Sequence, residues 1–237
     1  LTIAGSTSVQ PFAEKWAEVY MKNRPGLQIN IQGGGSTAGV RAAQIGAAQI
    51  GTVSRELKPE ESELKSLIVA RDGIAVVVSP ANPIPGMTLD EARAIFSGSV
   101  TNWKAMGGED HPITVITREE GSGTRTAFEE LVMKKDKIQK SALVQDSTGA
   151  VREMVRSDKS AIGYISLGQV NEQVKALPLS GVAATEANVI KGEYPLVRPF
   201  IFVYKGQPAE STQGFIDFVL SAEGQELSRK EGLIPVK

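Results

Sequence analysis

Three short segments combine glycine with hydroxyl side chains: Gly5-Ser6-Thr7-Ser8, Gly33-Gly34-Gly35-Ser36-Thr37 and Gly121-Ser122-Gly123-Thr124. Asp146-Ser147-Thr148-Gly149 is a weaker fourth. Each stands where an apolar run ends and a helical pattern begins. Two chemistries suit such a turn. Ser, Thr and Asp cap helices, with glycine supplying the tight bend before the cap. The same groups also bind anions. The first N–H groups of a helix lack intrahelical partners, the helix dipole places about half a positive charge there, and hydroxyls add donors. One such turn reads as a cap. Three of them at the carboxyl ends of strands point to anion binding, because open α/β sheets take ligands at that edge.

Arg118 lies three residues before Gly121, at the end of a predicted strand. A planar guanidinium suits two-point contact with a tetrahedral oxyanion, and its competing partner is the carboxylate of Glu119 or Glu120. Arg55, after the apolar run 50–53 and Ser54, is a second candidate, with Glu56 as the rival partner. Nucleotide-binding patterns fit poorly. No glycine is followed by Lys and then Ser or Thr, as a P-loop needs. Gly33-Gly34-Gly35-Ser36-Thr37-Ala38 matches the loose dinucleotide form, yet about 20 residues further on, where a ribose needs an acid, stand Ser54 and Arg55.

The elements that must hold these turns alternate in type. Phe12, Trp16, Val19 and Tyr20 recur at helical spacing, so 11–23 is predicted as an amphipathic helix whose aromatic stripe packs in the core. Leu27, Ile29 and Ile31 alternate as in a strand, and a helix follows the triple glycine to about residue 47. Strands are expected at 1–4, 50–53, 67–70, 74–79, 113–116, 143–145, 162–165 and 201–204. Helices are expected at 59–67, 88–97, from the Gly121 turn to about Lys134, and at 150–157, 214–220 and 224–230. Strand, turn and helix repeated this often imply α/β architecture with largely parallel sheets.

Of 237 residues, 41% are hydrophobic and 22% charged, an ordinary globular balance. Lys plus Arg total 26 against 27 for Asp plus Glu, a net charge of −1, so the basic excess of a nucleic-acid binder is missing and no such partner is expected. No apolar run approaches the ~18 residues of a membrane-spanning helix. With no cysteine, disulfides, thiolate metal sites and cysteine nucleophiles are excluded. The single histidine, His111, sits in the polar segment Gly107-Gly108-Glu109-Asp110-His111-Pro112, which argues against histidine metal sites and a Ser-His-Asp triad. Gly121-Ser122-Gly123 also lacks the GxSxG spacing of a nucleophile elbow. No metal or cofactor is expected, and no leader is read at the start of the chain.

Taken as longer motifs, Gly5-Ser6-Thr7-Ser8-Val9-Gln10-Pro11, Gly33-Gly34-Gly35-Ser36-Thr37-Ala38-Gly39-Val40 and Arg118-Glu119-Glu120-Gly121-Ser122-Gly123-Thr124 closely resemble the PstS-like family, the phosphate-binding proteins of ABC transporters. Ile95-Phe96-Ser97-Gly98 with Trp103, and Ala161-Ile162-Gly163-Tyr164, resemble further segments of that family. The resemblance covers essentially the whole chain, and Arg-x-x-Gly-Ser-Gly-Thr is its most specific part. It implies a two-lobed α/β fold of the periplasmic-binding-protein type (type II-like), each lobe a mostly parallel sheet flanked by helices, joined by two crossover strands. Lobe 1 would comprise 1–80 plus 195–237 and lobe 2 81–194, with crossovers near 78–82 and 194–198.

The ligand implied by the resemblance is inorganic phosphate, held between the lobes without a metal. One lobe supplies groups matching Thr7, Ser8 and Ser36; the other supplies groups matching Arg118, Ser122, Gly123 and Thr124. Ser54 and Arg55 are further candidates. The implied role is that of a solute-binding protein that performs no catalysis and hands phosphate to an ABC-transporter membrane permease. A monomer is implied, in the periplasm or its extracytoplasmic equivalent, with lipid anchoring to the cell surface as a variant.

Some members of that family place an aspartate after the strand that here is 50–53, where it accepts the proton of hydrogen phosphate. Ser54 and Arg55 stand there instead. A hydroxyl can accept as well as donate, but a dedicated acceptor is what rejects fully deprotonated sulfate. Asp146 is another candidate acceptor. The alternative ligand is therefore another tetrahedral, sulfate-like oxyanion. The alternative from a different class is a phosphate-ester hydrolase using Ser122.

Overall fold

A computed structural model describes residues 1–236. The chain divides into two compact units. The first holds Leu1–Asp72, Gly121–Gly123 and the stretch from Arg198 onward, and the second holds Gly73–Glu120 and Thr124–Val197. The chain first leaves the first unit between Asp72 and Gly73, revisits it at Gly121–Gly123, and returns for good between Val197 and Arg198.

In the first unit, strand β1 (Thr2–Gly5) leads into helix α1 (Gln10–Lys22), and strand β2 (Asn30–Gly33) into helix α2 (Ser36–Gln44). Strand β3 (Ile50–Val53) ends at Ser54. β1 pairs in parallel with both β2 and β3. Parallel strands finish at the same edge, so the three segments that follow them are neighbours. β4 (Lys65–Val78) then carries the chain onward.

Two expectations fail before β4 ends. The helix expected at 59–67 shrinks to one 3-10 turn, Pro59–Glu61, because Glu61 is drawn onto Arg55 and β4 already begins at Lys65. The strands expected at 67–70 and 74–79 are one continuous strand. Arg71 and Asp72 break the apolar pattern but not the backbone, since Arg71 exchanges both main-chain hydrogen bonds with Ile234 at 2.8 and 2.9 Å and Asp72 is paired by Arg198.

The second unit contains the end of β4, α3 (Leu89–Ser97), β5 (Thr114–Arg118), α4 (Gly123–Phe128, from its second residue), β6 (Leu143–Gln145), α5 (Thr148–Ser157), β7 (Ala161–Ser166), β8 (Lys175–Ala176) and α6 (Glu186–Ile190). β5 is parallel to β6 and β7, while β4 is antiparallel to β7 and β8. Val115, Ile116, Val151, Val155, Ala161 and Ile165 are buried in this unit. The helix expected to run to Lys134 ends at Phe128 and continues as a π-helical turn, Glu129–Met133.

β9 (Val197–Tyr204) returns the chain to the first unit antiparallel to β3, followed by α7 (Glu210–Leu220) and α8 (Ala222–Lys230). The aromatic stripe of α1 is core, as its spacing predicts. Phe12 packs on Phe200 and Trp16 on Phe202, each at 5.9 Å between ring centroids, and Tyr20 meets Phe215 at 5.5 Å. Burying each such ring is worth roughly 1.5–3 kcal/mol. Val40, Ala43, Val53, Ile201 and Val203 form a second cluster, where α2 covers β3 and β9.

Candidate functional site

Ser6, Ser8, Ser36, Ser54 and Ser122 are all at most 3% exposed. Buried hydroxyls need partners, and three of these partner one another. Ser6 Oγ donates to Ser54 Oγ at 2.8 Å, the N–H of Ser54 donates to Ser36 Oγ at 3.1 Å, and the Ser36 and Ser54 hydroxyl oxygens lie 3.4 Å apart. The N–H of Ser8 donates to Ser6 Oγ at 3.2 Å. These residues come from the turn after β1, the first residue of α2 and the end of β3. The parallel order β2-β1-β3 brings them together. Ser6 belongs to a turn singled out in the sequence, yet its own role was not legible there.

The third turn joins the same cluster. The N–H of Thr37 donates to the carbonyl of Gly121 at 3.1 Å. A β-carbon at Gly123 would press into Ser36 Oγ and stand 2.6 Å from Ser54 Oγ. Only glycine lets the backbone come this close. The N-cap positions of the helices beside these turns are Val9 for α1 and Gly35 (φ 89°) for α2, and neither makes a side-chain cap bond. The Asp146-Ser147-Thr148-Gly149 turn is different, since Ser147 accepts from the N–H of Ala150 at 3.2 Å and caps α5. The capping reading therefore holds for the fourth turn, whereas Ser6 and Ser36 of the first two turns bond to Ser54.

In the second unit, Arg118 ends β5 and is 1% exposed. Its Nε and Nη2 grip the two Glu119 carboxylate oxygens at 2.8 and 2.9 Å, and Nη1 donates to Thr148 Oγ1 at 3.1 Å. The main chain of Arg118 is held too. Its N–H donates to the Tyr164 hydroxyl at 3.3 Å, and its carbonyl accepts from Arg125 Nη1 at 3.0 Å. Burial pushes the Tyr164 phenol up to about 12, so its hydroxyl stays protonated beside Thr117 Oγ1, 2.7 Å away. Phe128 stacks on the Tyr164 ring at 4.1 Å and fixes its position. Thr124 is likewise buried.

Several candidates stand apart from the serine cluster. Arg55 forms a buried two-point pair with Glu61, at 2.8 and 2.7 Å, and donates to the Glu56 carbonyl at 2.9 Å. Burial pushes the Glu61 carboxyl up, but the hydrogen bonds from Arg55 and from the Lys58 N–H, with the Arg55 charge, outweigh it and hold the group below its usual value. Glu61, not the Glu56 carboxylate, is the acidic partner of Arg55, as Glu119 is of Arg118. Asp146 is exposed and meets Arg118 through its carbonyl, at 3.5 Å. His111 is exposed, 3.4 Å from Glu109.

Sequence reasoning passed over Asp72 and Arg198, which form a pair at most 2% exposed, with Arg198 Nη1 donating to the Ser54 carbonyl at 3.2 Å. Only the charges interrupting each apolar run, Arg71-Asp72 in one and Arg198 in the other, signalled them. Chemically, the first unit presents clustered hydroxyls, helix starts and close-packed glycine backbone. The hydroxyls of Ser6, Ser36 and Ser54 bond to one another rather than to a general base, so none of the three is activated as a nucleophile. Among the described residues, no cluster of three or more His, Asp or Glu could hold a metal ion.

The PBP superfamily domain matches residues 1–223. The chain is 33% identical to the phosphate-binding protein PstS of Bacillus subtilis over 100% of its own length and 80% of that protein. It is 30% identical to PstS of Pseudomonas aeruginosa, covering 100% of the chain and 83% of the relative. A Clostridium perfringens chain solved with bound phosphate superposes with a TM-score of 0.97 at 43% identity, over 100% of this chain and 99% of that one. An ABC-type phosphate transport receptor from Vibrio cholerae gives 0.80 at 37% identity, over 99% of each chain. Matched along its whole length by PstS proteins, and carrying the glycine–serine turns described above, the chain belongs to the PBP superfamily and, within it, to the PstS-like family.

Proposed function

We propose that this protein binds inorganic phosphate and delivers it to an ABC-transporter permease, with no covalent chemistry. The observation that carries the reading is the meeting of Ser6, Ser36 and Ser54 with the Gly121–Gly123 turn, beside helices whose N-cap residues, Val9 and Gly35, make no side-chain cap bond. A tetrahedral oxyanion is the ligand that such donors suit. The proposed ligands are Thr7, Ser8, Ser36, Ser54, Ser122 and Gly123 of the first unit and Arg118 and Thr124 of the second. Neutral hydrogen bonds contribute about 0.5–1.5 kcal/mol each and charge-assisted ones about 1.5–3. Eight or so such contacts leave room for micromolar binding, about −8 kcal/mol, after desolvation.

The proposed setting is periplasmic or otherwise extracytoplasmic, with a monomer as the working form and a lipid anchor as part of the proposal. Among the described residues, no helix is long and apolar enough to cross a membrane. The test is calorimetric titration with phosphate, arsenate and sulfate after unfolding and refolding to strip carried-over ligand. Micromolar or tighter phosphate binding, with a melting temperature raised by mass action, is expected. No heat and no thermal shift at millimolar phosphate would overturn the reading. Turnover of a chromogenic phosphate ester would replace it with the hydrolase.

A further inference from the structure

We propose that Arg198, held by Asp72, is a positioning residue that sets the Ser54 hydroxyl for the anion; the proposal rests on the phosphate-binding reading above. Asp72 and Arg198 are the residues at which the chain first leaves and last re-enters the first unit. β9 pairs with β3 through Val53 opposite Ile201, Thr52 opposite Phe202 and Gly51 opposite Val203. Arg198 therefore stands just ahead of the paired stretch, next to the segment that follows β3, and that segment begins with Ser54.

The guanidinium faces two ways. Nε and Nη2 both donate to Asp72 Oδ2, at 3.0 and 2.8 Å, while Nη1 donates to the Ser54 carbonyl at 3.2 Å. With the carboxylate holding one edge of a rigid plane, Nη1 is carried to a defined point. Ser54 is then tied at three atoms: its carbonyl to Arg198, its N–H to Ser36 Oγ, and its hydroxyl oxygen to Ser6. A buried ion pair is a weak source of net stability, because desolvation offsets most of the attraction and apolar residues of equal volume often serve as well. What this pair supplies that an apolar pair cannot is a donor aimed at Ser54. Lysine would keep the charge but lacks the planar fork that reaches both partners.

The experiment is a double-mutant cycle read by phosphate calorimetry, well below unfolding, on the unaltered chain, Arg198→Lys, Ser54→Ala and the double variant, each with its ligand-free melting temperature. Arg198→Lys is expected to weaken phosphate binding about tenfold, the scale of one hydrogen bond from a charged group. Ser54→Ala is expected to weaken it similarly. The double variant should bind no more weakly than Ser54→Ala, since without the hydroxyl there is nothing left to position. Losses that multiply in the double variant overturn the proposal. So does an Arg198→Lys chain that binds phosphate normally while melting lower, which would make the pair structural. If Arg198→Lys does not fold, Asp72→Asn, which keeps shape and removes charge, takes its place in the cycle with the same expected and overturning results. An unaltered chain that takes up no phosphate overturns the phosphate reading and this proposal with it, an outcome distinct from a normal titration followed by multiplying losses.

Discussion

The backbone N–H of Ser54 donates to the hydroxyl oxygen of Ser36 at 3.1 Å, joining the end of β3 to the first residue of α2. Gly35, which has no side chain, holds the N-cap position of α2, and the Ser36 hydroxyl reaches across to the end of β3. Both hydroxyls are fully buried, so any group that enters their space must replace what it displaces. Four consequences can be measured.

Gly123→Ala places a methyl group against the Ser36 and Ser54 hydroxyls. The expected result is a chain that folds, less stable by roughly 1–3 kcal/mol, the usual cost of overpacking, and binds phosphate more weakly because the turn is pushed off the two hydroxyls. Calorimetry on a sample whose circular dichroism matches the unaltered chain checks it. Unchanged affinity would show that the glycine turn lies away from the ligand.

Arg118→Ala removes the one arginine among the proposed ligands. A loss of roughly 2–5 kcal/mol in phosphate binding is expected, the cost of truncating one side of a buried charge-assisted contact with the anion. Arg118→Lys should recover only part of the loss, because a lysine cannot meet Glu119 and Thr148 in one plane. Full recovery would reduce the role of Arg118 to charge alone.

Ser54→Asp introduces a carboxylate acceptor beside Ser6 and Ser36. Hydrogen phosphate has a proton to offer and sulfate has none, so discrimination between them should widen by about tenfold or more. Competition titrations at neutral pH measure the ratio. A ratio that stays level or narrows would place the ligand's proton elsewhere.

Glu61→Gln tests the Arg55 pair. The folded Glu61 carboxyl titrates below its ordinary value of 4.5, so the stability it contributes is fully present above that pH and disappears as pH falls through the folded value. At neutral pH the substitution should cost about 3–5 kcal/mol, the penalty for stranding a buried guanidinium. Denaturant titrations should show the gap between variant and unaltered chain closing in acid. A gap independent of pH would mean that packing, not charge, holds the pair.

Much of this molecule is written locally. The α1 stripe of Phe12, Trp16 and Tyr20 finds the core because helical periodicity alone defines one apolar face. The glycine–hydroxyl turns are visible because only certain residues let a strand bend sharply into a helix. Errors arose where a distant partner overrode a local pattern. β4 runs unbroken through Arg71 and Asp72 because Ile234 and Arg198, far along the chain, satisfy them. The stretch after Pro59 fails to become a long helix because Glu61 answers Arg55.

The amino-acid sequence by itself determined the alternation of strands and helices, the family, and the segments able to meet an anion, since each depends on residue types within a few positions of one another. Only the tertiary structure decided which hydroxyls meet, that Ser147 caps its helix while Ser36 does not, that Arg55 belongs to Glu61, and that Asp72 and Arg198 stand behind Ser54. Those outcomes depend on strand order and register, which bring together side chains too far apart in sequence for any local preference to pair.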